Sequence, residues 1–172
     1  MQNPFRRNGG QDTPHDRPST SDQDQPNGGR TLEPSPETLA ELDALNAASR
    51  AAPDEIDPQI RLWAAVSRLD RWIFINRGTD DAPRPYTLAA QPGQMISVYS
   101  SGARAQEAAY TNGLVPADTT VPLLAVPMPA AIDWVLSFGQ SGVTGVAIDY
   151  PRLSAWCPLP NLARFRPAPP QA

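Results

Sequence analysis

Cys157, in the run Ala155-Trp156-Cys157-Pro158-Leu159-Pro160, is the only thiol of the chain and the only candidate for nucleophilic or sulfur-transfer chemistry. A thiol reacts as its thiolate, so it needs a helix N-terminus, an arginine or a histidine to lower its pKa. Pro158 is suited to open a helix and bring a positive dipole end to the sulfur. The competing reading is packing, because cysteine is among the most buried residue types. Asp133 and Asp149 are the carboxylates nearest apolar segments. As a pair they could divide acid and base work, as in glycoside hydrolysis. Taken singly, Asp133 belongs early in a helix, where the dipole favours its charge, and Asp149 closes a strand beside Pro151. Arg77 and Arg84 flank Asp80 and Asp81 in one loop, where forked guanidinium groups could hold a carboxylate or phosphate. A solvated loop of mixed charge is the alternative.

What is missing narrows the chemistry further. The single histidine, His15, lies in a Pro/Gly/Asp/Gln tract, and all 14 basic residues are arginines. Without histidine or lysine in the part able to fold, the usual neutral-pH base, Schiff-base chemistry and the P-loop lysine are all excluded there. The segment from Gly139 to Gly145, GQSGVTG, has the glycines of a phosphate loop in the wrong order of elements. Phosphate cradles follow a strand and open a helix; this one follows a helix and opens a strand, with Gly139 read as the helix C-cap. No His/Cys cluster has metal-ligand spacing, and no cofactor fingerprint is present, so neither metal nor cofactor is expected. Trp63 and Trp72 read as core. Trp134 follows Asp133 on a helix that already buries Ile132 and Val135, and if it faces outward it is an interface anchor.

Composition sets the frame for these side chains. The chain has 172 residues, 40% hydrophobic, a net charge of −4 and 21 prolines. Residues 1–34 hold few large apolar side chains and cannot offset their backbone entropy, so a disordered tail is expected there and a shorter one over 166–172. The folding unit is then 35–165, sufficient for one core. Acids outnumber arginines and no basic stripe exists, which argues against a nucleic-acid partner. No apolar run is long enough for a membrane span, and residues 1–30 lack the apolar centre of a signal peptide. A lone cysteine suits a reducing compartment, so the expected location is the cytoplasm. The absence of lysine beside abundant Ala, Pro and Arg points to a high-GC coding bias of actinobacterial type.

The elements follow from caps and periodicity. Ser35 caps a first helix with Pro36 at N1 and Leu39, Leu42 and Leu45 along it. A second helix starts at Asp57-Pro58 and is apolar on two sides, Ile60/Trp63/Ala64/Ser67 and Leu62/Val66/Leu69, so packing on both is expected. Residues 71–76 form a strand covered on both faces. A hairpin over 86–90 and 94–99 precedes a helix capped by Ser100 or Ser101 and closed by Asn112-Gly113. A short strand is expected at 119–124, then a helix from Pro129, a strand from Val143 to Ile148 and a closing turn or short helix at 161–165. Mixed hairpin and crossover connections argue for an α+β fold (mixed-sheet α/β being the variant), a small mixed sheet with helices packed on it.

Residues 71–113, RWIFINRGTDDAPRPYTLAAQPGQMISVYSSGARAQEAAYTNG, followed later by Gly145-Val-Ala-Ile-Asp149, Pro151 and a Leu-containing closing turn, resemble the N-terminal domain of the SseB family (enhanced serine sensitivity). The likeness spans about 36–165. It implies an α+β domain and carries over no catalytic residues. With the missing chemistry, it supports a non-catalytic protein-interaction module with an unidentified protein partner. The alternatives are a small-ligand sensor around Arg77 and Arg84, and an enzyme or sulfur-handling protein acting through Cys157.

Overall fold

The computed structural model describes residues 33–91 and 93–166 and has an α+β architecture. The expected tails fall outside the described residues over 1–32 and 167–172. At their inner edges the folded unit reaches further than expected. Glu33 accepts the Ala103 N–H at 2.9 Å, and Arg166 pairs through Nε with Asp133 Oδ1 at 2.7 Å.

Helix α1 (Pro36–Ala51) starts as its caps dictate, with the Ser35 hydroxyl accepting the Thr38 N–H. Helix α2 (Ile56–Ser67) begins one residue before Asp57, with Glu55 as N-cap. Strand β1 (Arg71–Ile75) is buried from Trp72 to Ile75. Strands β2 (Thr87–Ala89) and β3 (Gln94–Val98) make the hairpin, and helix α3 (Gly102–Thr111) follows with Ser101 as its cap. Then come β4 (Leu123–Pro127), α4 (Ala130–Ser137), β5 (Val143–Ile148), β6 (Trp156–Pro158) and the short α5 (Leu159–Leu162), which runs into a 3-10 turn at Ala163–Phe165.

The strands form a four-stranded sheet in the order β2-β3-β5-β6 and an antiparallel β1–β4 pair. Only β3 and β5 run parallel. Reciprocal bonds between Ile73 and Tyr99, 2.9 and 2.8 Å, join the two sheets. The period of two along β1 divides the core. Trp72 and Phe74 point into the larger cluster, with Leu62, Val66, Ile96, Ile132 and Val146. Ile73 and Ile75 point into a smaller one with Tyr99 and the alanines of α3, whose short side chains let that helix lie close to the strand. The expectation that β1 is covered on both faces is met.

Three elements differ from the sequence reading. The strand expected at 119–124 lies at Leu123–Pro127, because those five residues pair in register with all of β1, Ile75 opposite Leu123 through Arg71 opposite Pro127. The helix after Pro129 does not stop at Gly139: a 3-10 turn, Phe138–Ser141, carries it to Gly142. Gly142 takes φ 87°, the left-handed region that glycine enters without a Cβ penalty, and is the residue that ends the helix. Strand β6 was not anticipated. It is three residues long, holds Cys157, and exists through pairing with β5, where Gly145 leaves room: a Cβ there would sit 2.8 Å from the Cys157 carbonyl oxygen.

Candidate interaction groove

Helix α2 has two apolar sides, as its sequence indicates; both are covered along its C-terminal half, and one lies open at its start. Leu62, Ala65, Val66 and Leu69 pack into the core. The other side, Ile56, Gln59, Ile60 and Trp63, follows the i, i+3, i+4, i+7 rule. Of these four only Trp63 is buried; Ile60 is 46% exposed and Ile56 67%. Two-sided packing of α2 therefore holds from Leu62 to Ser67, where Trp63 and Ser67 of the second side are buried, and is corrected at Ile60, which with Ile56 forms an open apolar patch. Across from this stripe stand Trp156 and Pro158 of β6, then Arg164 and Phe165 after α5, and together they enclose a groove of about 250 Å³. Cys157 lies in its wall, and Trp156 is 42% exposed at its rim. A second hollow of about 190 Å³ shares Gln59, Trp63 and Trp156 with it and adds Arg50. Neither hollow is lined by an Asp or Glu, so in a chain of net charge −4 the hollows themselves are apolar with arginines at their edges.

The edge of the sheet contributes little backbone to this groove. The bond from Ile148 N–H to the Ala155 carbonyl, with Ala147 opposite Trp156, turns the Trp156 peptide groups away from β5 by antiparallel alternation. The next outward residue, Pro158, has no N–H. A proline on a three-residue edge blunts strand addition, so recognition here falls to side chains.

The thiol is not poised for reaction. Cys157 is buried, and its Sγ reaches only the Pro158 carbonyl at 3.5 Å. Burial pushes its pKa from an ordinary 9.0 up to about 12, the opposite of what a nucleophile needs. The helix that Pro158 opens is four residues long, and its dipole does not offset that desolvation. At pH 8 a pKa this high cuts the thiolate population about 1,000-fold. Iodoacetamide should therefore label Cys157 about 1,000-fold more slowly in the native protein than in urea; equal rates would show an accessible thiolate. The same shift has a stability sign. The thiol's contribution is complete below pH 9, where both states keep the proton, and is lost as pH rises towards 12, because the unfolded chain releases it first.

The remaining candidates are scattered. Arg77 donates through Nη1 to the Leu114 carbonyl at 3.2 Å, and the Arg84 side chain is exposed while its N–H bonds Asn76 Oδ1. Neither arginine lines the cavities beside α1, α2 or α3. Trp134 is not the outward anchor that its position after Asp133 allowed. It is half-buried, edge-on to Phe74 at 4.9 Å and to Phe138 at 5.5 Å, because pairing of β4 with β1 seats α4 over Phe74. Asp133 and Asp149 do not pair with each other: Asp133 is bound by Arg166, Asp149 by Arg104.

Asp149 is the centre of a polar network that the sequence did not disclose. It sits at φ 49°, a left-handed position that aspartate tolerates better than most residues, and is 1% exposed. Its Oδ1 accepts the Ser100 N–H at 2.7 Å, and its Oδ2 accepts the Ser100 hydroxyl at 2.6 Å and Arg104 Nη1 at 2.7 Å. Arg104 Nη2 continues to Asp43 on α1 at 2.8 Å. The charges of this cluster answer one another and tie α1 and α3 to the residue that follows β5. Among the described residues no His/Cys/Asp/Glu group is arranged to hold a metal, and no helix is long and apolar enough to cross a membrane.

Sequence reading placed Ile60 on a packed side and passed over Ile56, Arg164 and Phe165. The i, i+4 spacing of the two isoleucines was the available signal. Nothing local marks the closing turn as the opposite wall. A scan of protein-family models, a search of curated proteins and a search of solved structures each found no match to this chain.

Proposed function

We propose that this chain is a non-catalytic α+β module, a relative of SseB N-terminal domains, that binds a protein partner through the groove between α2, β6 and the closing turn. One observation carries the reading: among the described residues, the three most exposed large apolar side chains, Ile56, Ile60 and Trp156, line the same groove. Contiguous apolar surface of this kind on a folded domain marks binding sites, whereas scattered exposed residues do not. The kinship rests on the apolar strand, the hairpin into Tyr99-Ser100-Ser101, the small-residue helix and the Gly145–Asp149 strand. The lone thiol supports a reducing compartment, the cytoplasm.

Affinity purification from the source organism tests the reading. The wild-type chain should retain a stoichiometric partner that the groove variant Trp156→Ser loses and the loop variant Arg77→Ala/Arg84→Ala keeps. Loss with the loop variant alone would move the site to the Arg77–Arg84 loop. Turnover of a metabolite by the purified chain, abolished by one conservative substitution, would overturn a non-catalytic role.

A further inference from the structure

The groove has a complementary segment on the same molecule. Ile56, its most exposed apolar residue, lies between Asp54, Glu55 and Asp57, which are all exposed at the start of α2. Arg164 stands in the opposite wall and Arg50 in the adjoining hollow, both exposed. No acid among the described residues pairs with either arginine. One face thus offers an acidic, isoleucine-bearing helix end and, beside it, an acid-free apolar groove with basic edges. A two-fold contact requires a patch that complements itself: residue i of one copy meets residue j of the other and j meets i, while residues on the axis meet their own counterparts.

We propose that the occupant of the groove is a second copy of this chain, in an isologous dimer. This deepens the reading of the groove as a protein-binding site and rests on it. A two-fold axis near Ile60 lays the two α2 helices against each other, with Ile56 of each copy in the apolar groove of its partner and the acids at the start of α2 facing Arg164. Trp156 closes the rim. Strand addition through β6 is not the mode, because Pro158 removes the N–H that a ladder needs. A foreign segment with acids around an apolar residue would use the same arginines, so the experiment must separate the two.

Sedimentation equilibrium of the full chain between about 1 and about 100 μM covers the range of ordinary self-association. The mass should rise from 18.6 kDa towards twice that value. Ile60→Glu, at an exposed position and verified as folded by circular dichroism, should weaken dimerisation about 100-fold, because a symmetric contact takes the change twice. Arg164→Glu should weaken it about 10-fold, with the wild-type constant falling as salt is added. A wild-type chain that stays at 18.6 kDa throughout overturns the proposal, as does an Ile60→Glu chain that dimerises normally. An unchanged constant for Arg164→Glu overturns the charge-matched seating. If the wild type is monomeric but a partner retained from the source organism is lost in Ile60→Glu, the dimer falls and the groove stands as a site for a foreign segment. If that partner is retained by Ile60→Glu as well, the groove reading falls with it.

Discussion

Arg104→Met is expected to lower the free energy of unfolding by about 3–5 kcal/mol, the usual cost of removing one partner from a buried ion pair. Asp149 has no side-chain exposure, and Arg104 supplies its only guanidinium. With Arg104 gone, the carboxylate keeps its two bonds from Ser100 but loses the only guanidinium hydrogen-bonded to it among the described residues. The attachment of α3 to Asp43 of α1 is lost in the same step. The double variant Arg104→Met/Asp149→Asn should recover a large part of the loss, because asparagine tolerates φ 49° and carries no charge to strand. Urea unfolding of the four proteins in the cycle measures this. A loss below about 1 kcal/mol for Arg104→Met would place the pair with surface ion pairs. Arg166→Ala is the internal comparison. Its bond to Asp133 is half-exposed, and its removal should cost less than about 1 kcal/mol.

Trp72→Ala is expected to cost about 3–5 kcal/mol, and Trp156→Ala less than about 1 kcal/mol, although both are tryptophans on strands. Trp72 is 0% exposed, and its indole N–H donates to the Val66 carbonyl at 3.0 Å. Alanine there opens a cavity where β1 meets α2 and also leaves that carbonyl with only the longer Leu69 N–H bond, 3.4 Å, so the packing and hydrogen-bond losses add. Trp156 has 42% of its surface in solvent and gives up little that folding had gained. Thermal or urea unfolding gives both values. A large loss for Trp156→Ala would make that side chain part of the core, and would remove the argument that it is held in place for a partner.

The caps, the alternation in β1 and the hairpin into α3 were legible because each depends on residues close in sequence. Ser35 answers the N–H of Thr38, Ser101 that of Arg104, and a strand buried on both faces reads as a continuous apolar run. The groove was half-legible. The apolar stripe on α2 shows in the spacing of Ile56, Ile60 and Trp63, but a stripe indicates only that something covers it, and among the described residues Ile56 stays 67% exposed. Trp134 was misplaced for the same reason in reverse. Its position on α4 allowed an outward direction, and contact with Phe74, 60 residues away in sequence, turned it into a packing residue.

The sequence by itself determined the α+β class, the order of the main elements and the absence of histidine- or lysine-based chemistry from the part that folds, because composition and short-range periodicity are local properties. Only the tertiary structure decided the rest. Bringing Ser100 and Arg104 onto Asp149, closing β6 over Gly145 and setting Arg164 and Phe165 opposite Ile60 are contacts between residues a dozen or more positions apart. Their free energy comes from burial and charge pairing across elements. No local pattern records which arginine will meet which carboxylate, or which apolar stripe will be left open to solvent.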